Sequence, residues 1–520
     1  MKSRALLSIV SLAAGSLLWL VGCNDRDTSE SLERAWSSLV HAEAAPSALG
    51  PSMQSAAQLP PDVIAEPYED APNDYEAPAQ TPEAAENPIA RLVDGGGPPV
   101  HPLERFYTAL SAIDAESSDA RPLRVLQIGD SHTASDTFTG PLRTQMQNRF
   151  GDSGRGYLYA GTPWGSYRQA DAAYSMSRGW SGGVGIRGGA DQFSFGGARI
   201  VAQRSDEWVE RAPCRRCTQG RISDKVVISF LEEPEGGEFR VRVNGEVVAQ
   251  VSTASNGRGL NTWTAPLPRG ENTVRIETTS PQRVTLFGIS MTDSSPGITL
   301  DSVGINGAMA RHFLAFNEAM SVREIAALEP DLLIFAFGAN ESVSSRYQVE
   351  RPHEQALELL RKLEAYRGEV ISLIARWRQG APNAECLVLL PPDIRTRDSE
   401  PCVNYSFEDE RLSGTRCVPQ PPSNFAGLLN ALRYAALSSG CAVWDQQRAM
   451  GGDGSIDIWR ELRLASGDGV HLTSAGYEAL AHAFWHDLMT NWSMWRSGLT
   501  EPLQTSVIHP SLATSARDAQ

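Results

Sequence analysis

The stretch Leu123-Arg-Val-Leu-Gln-Ile-Gly-Asp-Ser131 decides the fold of this chain. Its first six residues have the composition of a short buried strand, and its last three form a tight turn. Leu142, Met146 and Phe150 then recur at helical spacing. A strand, a tight turn and a helix in this order predict the start of an α/β sheet, with Ser131 at the carboxyl end of its first strand.

Signals of the same kind resume in the last part of the chain. The sequence predicts strands at 332–337, 387–390 and 442–444, and helices at 425–437 and from about 473 onwards. We therefore expect one α/β domain made of two segments, residues 101–175 and 294–497.

Residues 176–293 have a different pattern, with many glycines and short alternating strands at 226–230, 239–243 and 273–277. Asn244-Gly245 lies between two of these strands, as in a β-hairpin turn. Because α/β signals continue afterwards, we expect this part to be a β-sandwich or jelly roll inserted into the α/β domain.

The bulk composition limits both the number of domains and the partners. At 520 residues the chain is long enough for two folded domains and linkers. Its formal net charge of -16 argues against nucleic acid or anionic lipid as a binding surface.

The N-terminus resembles an export signal. Lys2 and Arg4 precede an apolar run that ends in Leu20-Val-Gly-Cys23, which resembles a bacterial lipobox. We expect residues 1–23 to be a lipoprotein signal peptide and Cys23 to carry the lipid, although a cysteine at the edge of an ordinary signal is the alternative. Asn24 favours an outer-membrane address, on the periplasmic face.

Residues 24–100 are acidic and rich in Ala and Pro, and contain no Lys or Arg between Arg34 and Arg91. Such a segment buries too little apolar surface to fold, so we interpret it as an extended tether. Residues 498–520 show no pattern and are predicted to be a C-terminal tail.

Six cysteines remain after Cys23, an even number that suits an oxidising compartment. The pair Cys214 and Cys217 is compatible with a zinc or redox site, but no second ligand pair lies nearby, so a local disulfide is favoured. The positions of Cys386 with Cys441, and of Cys402 with Cys417, suggest two further bridges, but the spacing alone does not fix the connectivity.

Ser131 is the candidate nucleophile. A serine hydroxyl needs sharp exposure and a histidine that accepts its proton, and a strand-to-helix turn provides the exposure. Asp468 and His471 lie three residues apart, just before the final predicted helix, so one short turn can present both side chains. The alternative is that Asp468 only caps this turn and His471 is a surface residue.

Acyl transfer also requires donors for a tetrahedral oxyanion. Asn340 follows an apolar strand in Gly338-Ala-Asn340, where its amide is a candidate donor, although an asparagine there is often only a turn former. The backbone N–H of Gly307 is a second candidate, since a glycine lets the chain approach a substrate oxygen closely.

These residues resemble the four sequence blocks of the SGNH, or GDSL-like, hydrolases, in the same order. The resemblance implies a flavodoxin-like α/β three-layer sandwich and a triad of Ser131, Asp468 and His471. It also implies an oxyanion hole formed by the N–H groups of Ser131 and Gly307 and by the Asn340 amide. It implies no cofactor and no metal.

The inserted β-domain and the stretch from Pro296 to Gly307 are similar to bacterial peptidoglycan O-acetylesterases, whose insert is similar to family 35 carbohydrate-binding modules. His132 departs from the family, since many relatives have leucine there, and we interpret it as structural or substrate-contacting. The other histidines on helical patterns, His312, His482 and His486, are interpreted as core or surface residues.

The resemblance implies a serine esterase that removes O-acetyl groups from an envelope glycan, at C6 of MurNAc in peptidoglycan, through an acetyl-serine intermediate. A glycan O-acetyltransferase with the same triad is one alternative. A non-catalytic glycan-binding lipoprotein is another, in which Trp180, Trp208 and Trp263 would form a sugar platform unless they are packed in the β-domain.

Overall fold

The structure is a computed structural model of the whole chain. It describes residues 101–343, 352–395, 402–406, 413–417, 421–422 and 424–508. The predicted signal peptide, Cys23 and the tether lie outside these residues. Within the described part, no helix is both long and apolar enough to span a membrane.

A strand is found wherever the sequence predicted one, and the ends agree to within one or two residues except at the start of β7, which begins four residues before the predicted 226. In chain order they are β1 Pro122–Gly129, β2 Gly156–Tyr159, β3 Ala172–Met176, β4 Ser181–Val184, β5 Ala198–Ala202, β6 Trp208–Pro213, β7 Ile222–Glu232, β8 Glu238–Val243, β9 Glu246–Ser252, β10 Gly259–Glu271, β11 Val274–Thr278, β12 Val284–Thr292, β13 Gly297–Gly304, β14 Leu332–Ala336, β15 Glu385–Leu390, β16 Cys402–Ser406, β17 Ser413–Cys417 and β18 Ala442–Asp445.

The α-helices connect and cover these strands. In chain order they are α1 Glu104–Asp114, α2 Ser131–Ala134, α3 Thr139–Phe150, α4 Ala310–Ala315, α5 Glu318–Leu328, α6 Ala339–Val343, α7 Pro352–Gly380, α8 Phe425–Ser438, α9 Gln446–Met450, α10 Ser455–Glu461 and α11 Ser474–Arg496.

Five strands form one parallel sheet in the order β13-β1-β14-β15-β18. Numbered by their sequence order within this sheet, the strands run 2-1-3-4-5, which is the flavodoxin-like order. The predicted α/β class is therefore confirmed. In such a sheet, the ligand site lies beyond the carboxyl end of the first strand, where the strand order reverses, and this is where Ser131 follows β1.

Helices cover both faces of this sheet. Val443 and Trp444 are adjacent in β18, so their side chains point to opposite faces. Val443 packs on the core that includes Trp377 of α7 and Leu432 of α8, whereas the Trp444 ring lies 5.2 Å from that of Phe484 in α11. The sheet is thus the middle of three layers.

The remaining long strands form two antiparallel sheets. One has the order β10-β7-β12-β5-β4, with β2 also paired to β12, and the other has the order β3-β6-β11-β8-β9. Both contribute buried side chains to one hydrophobic cluster, such as Ile228 and Leu286 from the first sheet and Val241 and Ile276 from the second. Two packed antiparallel sheets are therefore present, while a jelly-roll topology and the likeness to a carbohydrate-binding module stay predictions.

The antiparallel strands begin earlier in the chain than residue 176. β2 pairs with β12, and β3 pairs with β6, so both already belong to the antiparallel sheets. Two short 3₁₀-helices, Gly185–Arg187 and Ala190–Gln192, also interrupt a part in which the sequence shows no helical periodicity.

Cys214 and Cys217 form a disulfide after β6, as the sequence favoured over a zinc or redox site. A second disulfide joins Cys386 in β15 to Cys441, which precedes β18. The suggested bridge between Cys402 and Cys417 lies outside the described side chains.

Part of the predicted C-terminal tail, as far as residue 508, packs on the rest of the protein. Leu503 and Ile508 are buried, and the Ile508 N–H donates to the Ala449 carbonyl at 2.8 Å. The Glu501 carbonyl accepts from Asn491 Nδ2 at 2.9 Å. A stretch without periodicity can still be ordered when single apolar side chains pack on the folded part of the protein and its backbone groups form hydrogen bonds there.

Candidate active site

Ser131 is the first residue of α2 and directly follows the turn after β1. Asp130 is the N-cap of this helix, and its Oδ1 accepts a hydrogen bond from the His132 N–H at 2.9 Å. This cap holds the turn in one shape, so the Ser131 hydroxyl projects from the carboxyl edge of the sheet.

The structure brings the three predicted triad residues together. Ser131 Oγ lies 2.8 Å from His471 Nε2, and His471 Nδ1 lies 2.7 Å from Asp468 Oδ2. With the proton on Nδ1, the imidazole donates to the carboxylate and leaves Nε2 free to accept the serine proton. Serine, imidazole and carboxylate therefore form a continuous relay.

A short turn holds Asp468 and His471 in place. The Ser466 N–H donates to the His471 carbonyl at 2.8 Å, which closes the turn. Gly469 has a φ of +71°, and a Cβ on this residue would lie 2.0 Å from the Arg395 carbonyl oxygen. Only glycine fits there, and the Arg395 N–H in turn donates to the Gly469 carbonyl at 2.9 Å.

The hydrogen bonds to Asp468 favour its charged form. Partial burial alone raises the pKa of this carboxyl, but bonds from Ser466 Oγ, from His471 and from the Val470 N–H outweigh burial and lower the pKa below its ordinary value. The side chains of Asp468 and His471 are 49% and 40% exposed. The relay is therefore ionised on its carboxylate end and open to the surface.

The candidate oxyanion donors lie on the three segments that follow the neighbouring strands β1, β13 and β14. Gly129 at the end of β1 is level with Gly304 of β13 on one side and with Ala336 of β14 on the other. The segments that follow these three strands carry Ser131, Gly307 and Asn340, so all three start from the same edge. Gly307 is exposed and has a φ of +79°.

The Asn340 side chain joins the segments on either side of it. Its Nδ2 donates to the Ala308 carbonyl at 2.9 Å and approaches Asp130 Oδ2 at 3.3 Å. Ala308 follows Gly307 and Asp130 precedes Ser131, so the amide links the two predicted backbone donors.

Two buried carboxyls lie beneath these segments. Burial raises the pKa of Asp130 to about 8 and that of Glu341 to about 7. Glu341 accepts from the backbone N–H groups of Gly338 and Ala310 at 3.0 and 2.8 Å. Sequence reasoning gave neither carboxyl a role, although Asp130 stands inside the Gly-Asp-Ser motif.

His132 is buried and contacts the protein rather than solvent. Its Nδ1 lies 2.8 Å from the Tyr477 hydroxyl, and its ring lies 5.2 Å from that of His471. Burial, followed by the nearby His471, lowers the pKa of His132 to about 3, so the ring is neutral. Of the two predicted roles, the structure favours the structural one.

The other histidines lie apart from the relay. His312 Nδ1 accepts from the Met309 N–H at 3.0 Å at the start of α4, and His482 Nδ1 lies 3.1 Å from Gln145 Oε1. His486 Nδ1 lies 3.4 Å from Asp487 Oδ1. Among the described residues, no group of three or more His, Cys, Asp or Glu could hold a metal ion.

The three tryptophans considered as a sugar platform have different surroundings. Trp180 is buried in the cluster between the antiparallel sheets, and Trp263 is partly buried against the same cluster. The Arg275 guanidinium covers the Trp208 ring at 4.0 Å. Trp180 is therefore a core residue rather than part of an exposed platform.

Comparisons with known proteins agree with this architecture. No protein-family model matches the sequence, and no curated protein matches it. A solved structure described as a peptidoglycan O-acetylesterase in action is similar, with a TM-score of 0.59, 23% identity, and coverage of 76% of this chain and 97% of that chain. The chain has the fold of this esterase.

Two further solved structures match less well. A family two carbohydrate esterase from Clostridium thermocellum has a TM-score of 0.24 and 9% identity, and covers 56% of this chain and 94% of its own. A putative GDSL-like lipase from Parabacteroides merdae has a TM-score of 0.23 and 18% identity, covering 39% and 73%. These scores are too low to support an argument about the site.

Proposed function

We propose that the chain is an SGNH-type serine esterase that removes O-acetyl groups from a cell-envelope polysaccharide. The observation that carries the proposal is the relay from Ser131 Oγ to His471 Nε2 at 2.8 Å and from His471 Nδ1 to Asp468 Oδ2 at 2.7 Å. Its position at the carboxyl edge of a flavodoxin-like sheet supports the same conclusion.

The first half of the reaction forms an acetyl-serine. Ser131 Oγ attacks the acetyl carbonyl carbon while His471 Nε2 takes the hydroxyl proton. The N–H groups of Ser131 and Gly307 and the Asn340 amide stabilise the tetrahedral oxyanion. When it collapses, the bond to the sugar oxygen breaks and His471 returns the proton to that oxygen.

Water completes the cycle. His471 Nε2 accepts a proton from a water molecule whose oxygen attacks the acetyl carbonyl. Collapse of the second oxyanion breaks the bond to Ser131, which regains its proton, and acetate leaves. No step requires a metal or cofactor.

We propose peptidoglycan, acetylated at C6 of MurNAc, as the substrate. Two observations support this choice. The His471 and Asp468 side chains of the relay are 40% and 49% exposed, so a polymer can approach the relay from the surface. The similar solved structure is described as a peptidoglycan O-acetylesterase.

Acetate release from O-acetylated sacculi tests the proposal. We expect Ser131→Ala to lower the rate by about 10³-fold or more, because the nucleophile is lost. Ser135→Ala is the matched control, since Ser135 is an exposed serine four residues along whose hydroxyl, among the side chains that the structure describes, bonds only to Thr137 Oγ1. Normal acetate release by a folded Ser131→Ala protein would end the proposal.

Two further arms define the substrate and the reaction. Faster release from acetylated xylan than from sacculi would reject peptidoglycan but keep the esterase. A chito-oligosaccharide added as acceptor separates hydrolysis from transfer, because an acetyltransferase forms more acetylated sugar than free acetate.

We also propose that the protein is a lipoprotein held at the periplasmic face of the outer membrane through Cys23. The tetrad Leu20-Val-Gly-Cys23 supports this assignment. We expect radiolabelled palmitate to be incorporated into the wild-type protein. Cys23→Ala should abolish that incorporation, and a labelled Cys23→Ala protein would contradict the anchor.

A further inference from the structure

The Asn340 side-chain NH₂ group already has two hydrogen-bond acceptors in the structure. Its Nδ2 carries two hydrogens, one directed at the Ala308 carbonyl at 2.9 Å and the other at Asp130 Oδ2 at 3.3 Å. To stabilise an oxyanion, Nδ2 must turn one hydrogen towards the substrate. One of the two existing bonds must therefore be given up during the reaction.

The bond to Asp130 is the one whose strength can change. The Ala308 carbonyl is neutral at every pH, whereas Asp130 is either a carboxylate or a neutral acid. A carboxylate accepts from an amide about twice as strongly as a neutral group does. It also places a negative charge one hydrogen bond beyond the donor, where it opposes a developing oxyanion.

The surroundings of Asp130 disfavour its charged form. The residue is 1% exposed, and burial, followed by the repulsion of Glu341, raises its pKa to about 8 despite the His132 N–H bond. No arginine or lysine of the described residues forms an ion pair with it. Asp130 is therefore neutral at pH 7 and ionised well above pH 8.

Other titratable groups face Asp130 from each neighbouring element. They are Glu341 on α6, Tyr366 on α7 and Tyr477 on α11, and His132 on α2 donates its backbone N–H. Asp468 and His471 on the triad turn interact with His132, and Glu369 on α7 interacts with Glu341. Burial raises the pKa values of both tyrosines, so neither becomes charged below that of Asp130. Glu341 repels the Asp130 carboxylate and so does not compensate its negative charge.

We propose that Asp130 is a positioning residue for the oxyanion hole: as a carboxylate it holds the Asn340 amide by accepting from Nδ2, and as a neutral acid it releases the amide to the substrate oxyanion. This inference rests on the proposed esterase function. It assigns the aspartate of Gly129-Asp-Ser131 a second task besides capping α2.

The expected signature is a fall of kcat on the alkaline side. The raised pKa means that Asp130 loses its proton as the pH passes about 8, so kcat should fall by about tenfold to a hundredfold between pH 7 and 9.5. KM should change little, because the oxyanion exists only in the transition state. A residue that only supports the fold would not produce such a split.

Asp130→Asn tests the inference with a side chain of the same shape that cannot ionise. Its Oδ1 still accepts from the His132 N–H, and its NH₂ group cannot accept from Asn340. Asp130→Ser is a second neutral variant that keeps an N-cap oxygen. Glu324→Gln is the matched control, because Glu324 is buried on α5 away from the relay and burial raises its pKa to about 7.

The measurement is kcat and KM for 4-methylumbelliferyl acetate from pH 5.5 to 9.5, corrected for spontaneous hydrolysis. The wild type and Glu324→Gln should lose activity above pH 8, and both Asp130 variants should stay within about twofold of their plateau. A wild-type kcat that is flat to pH 9.5 overturns the inference without any variant. So does an alkaline fall that persists in folded Asp130 variants, or a kcat reduced at every pH in Asp130→Asn.

These measurements distinguish a failure of the Asp130 role from a failure of the proposed esterase function. If the wild type releases no methylumbelliferone and no acetate from sacculi, the esterase proposal fails. If the wild type is active but the Asp130 variants keep its alkaline fall, only the role of Asp130 fails.

Discussion

Replacing Asp468 with asparagine tests the relay while leaving its turn intact. Oδ1 of Asp468 accepts from the Val470 and His471 N–H groups, both at 2.9 Å, and from Ser466 Oγ at 2.5 Å. Oδ2 contacts His471 Nδ1 alone among these partners, at 2.7 Å. An asparagine keeps the first three bonds through its own oxygen and places an NH₂ group against Nδ1.

Two effects then reduce the rate. A carboxylate about 4 Å from the imidazolium stabilises it by roughly 4 kcal/mol at an effective dielectric constant near 20. Since Asp468 and His471 are 49% and 40% exposed, solvent screening reduces this to roughly 2 kcal/mol, or about 30-fold in rate. The NH₂ group also forces the imidazole proton onto Nε2, which faces Ser131, so the total loss in kcat should approach about 10³- to 10⁴-fold.

The assay is kcat for an activated acetyl ester at pH 7, with a thermal melt to verify folding. Ser466→Ala is the control, because it removes one hydrogen bond from Asp468 and leaves the charge and the tautomer unchanged. We expect it to lower kcat by less than about tenfold. An Asp468→Asn enzyme that retains more than a tenth of the wild-type kcat would refute the relay as described.

Three other changes have defined outcomes. Asn340→Ala should lower kcat by about 10²- to 10³-fold with little change in KM, and a kcat within twofold of wild type would remove it from the oxyanion hole. Tyr477→Phe leaves the buried His132 Nδ1 without its partner at 2.8 Å and should lower the free energy of unfolding in urea by about 1–3 kcal/mol; no loss would show that a water replaces the hydroxyl. Asp136→Asn removes a buried carboxylate 2.7 Å from the buried Arg143 and should lower that free energy by roughly 3 kcal/mol at pH 6. Burial raises the pKa of Asp136, but Arg143, Arg155 and the Thr139 hydroxyl together outweigh burial and lower it. The contribution of Asp136 is therefore complete above its unfolded pKa of about 3.9 and is lost as the pH falls through the lower folded value. The difference between Asp136→Asn and wild type should therefore shrink below pH 4, and a constant difference from pH 6 to pH 2 would contradict this cause.

Much of the architecture could be predicted from local pattern. The buried strand β1 and the helix α3 are visible as an apolar run and a helical repeat, and the triad turn is visible because Asp468 and His471 are three residues apart. Elements that are formed by residues close together in the chain show up as regular spacings of side chains in the sequence.

The strand β13 shows where this reasoning stops. It is buried along its whole length yet contains Thr299, Asp301 and Ser302, which a buried parallel strand rarely carries. The Asp301 carboxylate is paired with Arg124 at 2.6 Å and accepts from the Tyr157 N–H at 2.6 Å. These partners come from distant segments of the chain, so no periodicity in the sequence of β13 predicts the contacts.

By itself, the sequence indicated the α/β strands β1, β14, β15 and β18, the helices α3, α8 and α11, and the three side chains of the relay. The elements depend on apolar periodicity, and the turn with Asp468 and His471 depends on a short spacing. Only the tertiary structure decided that Asp130 lies against Asn340, 210 positions away, that Tyr477 holds His132, and that residues 501–508 return to the surface of the α/β part. Hydrogen bonds between buried polar groups depend on where folding places each group. The turn with Ser131 could therefore be predicted from the sequence, whereas the hydrogen bonds of Asp130 and His132 beside it could not.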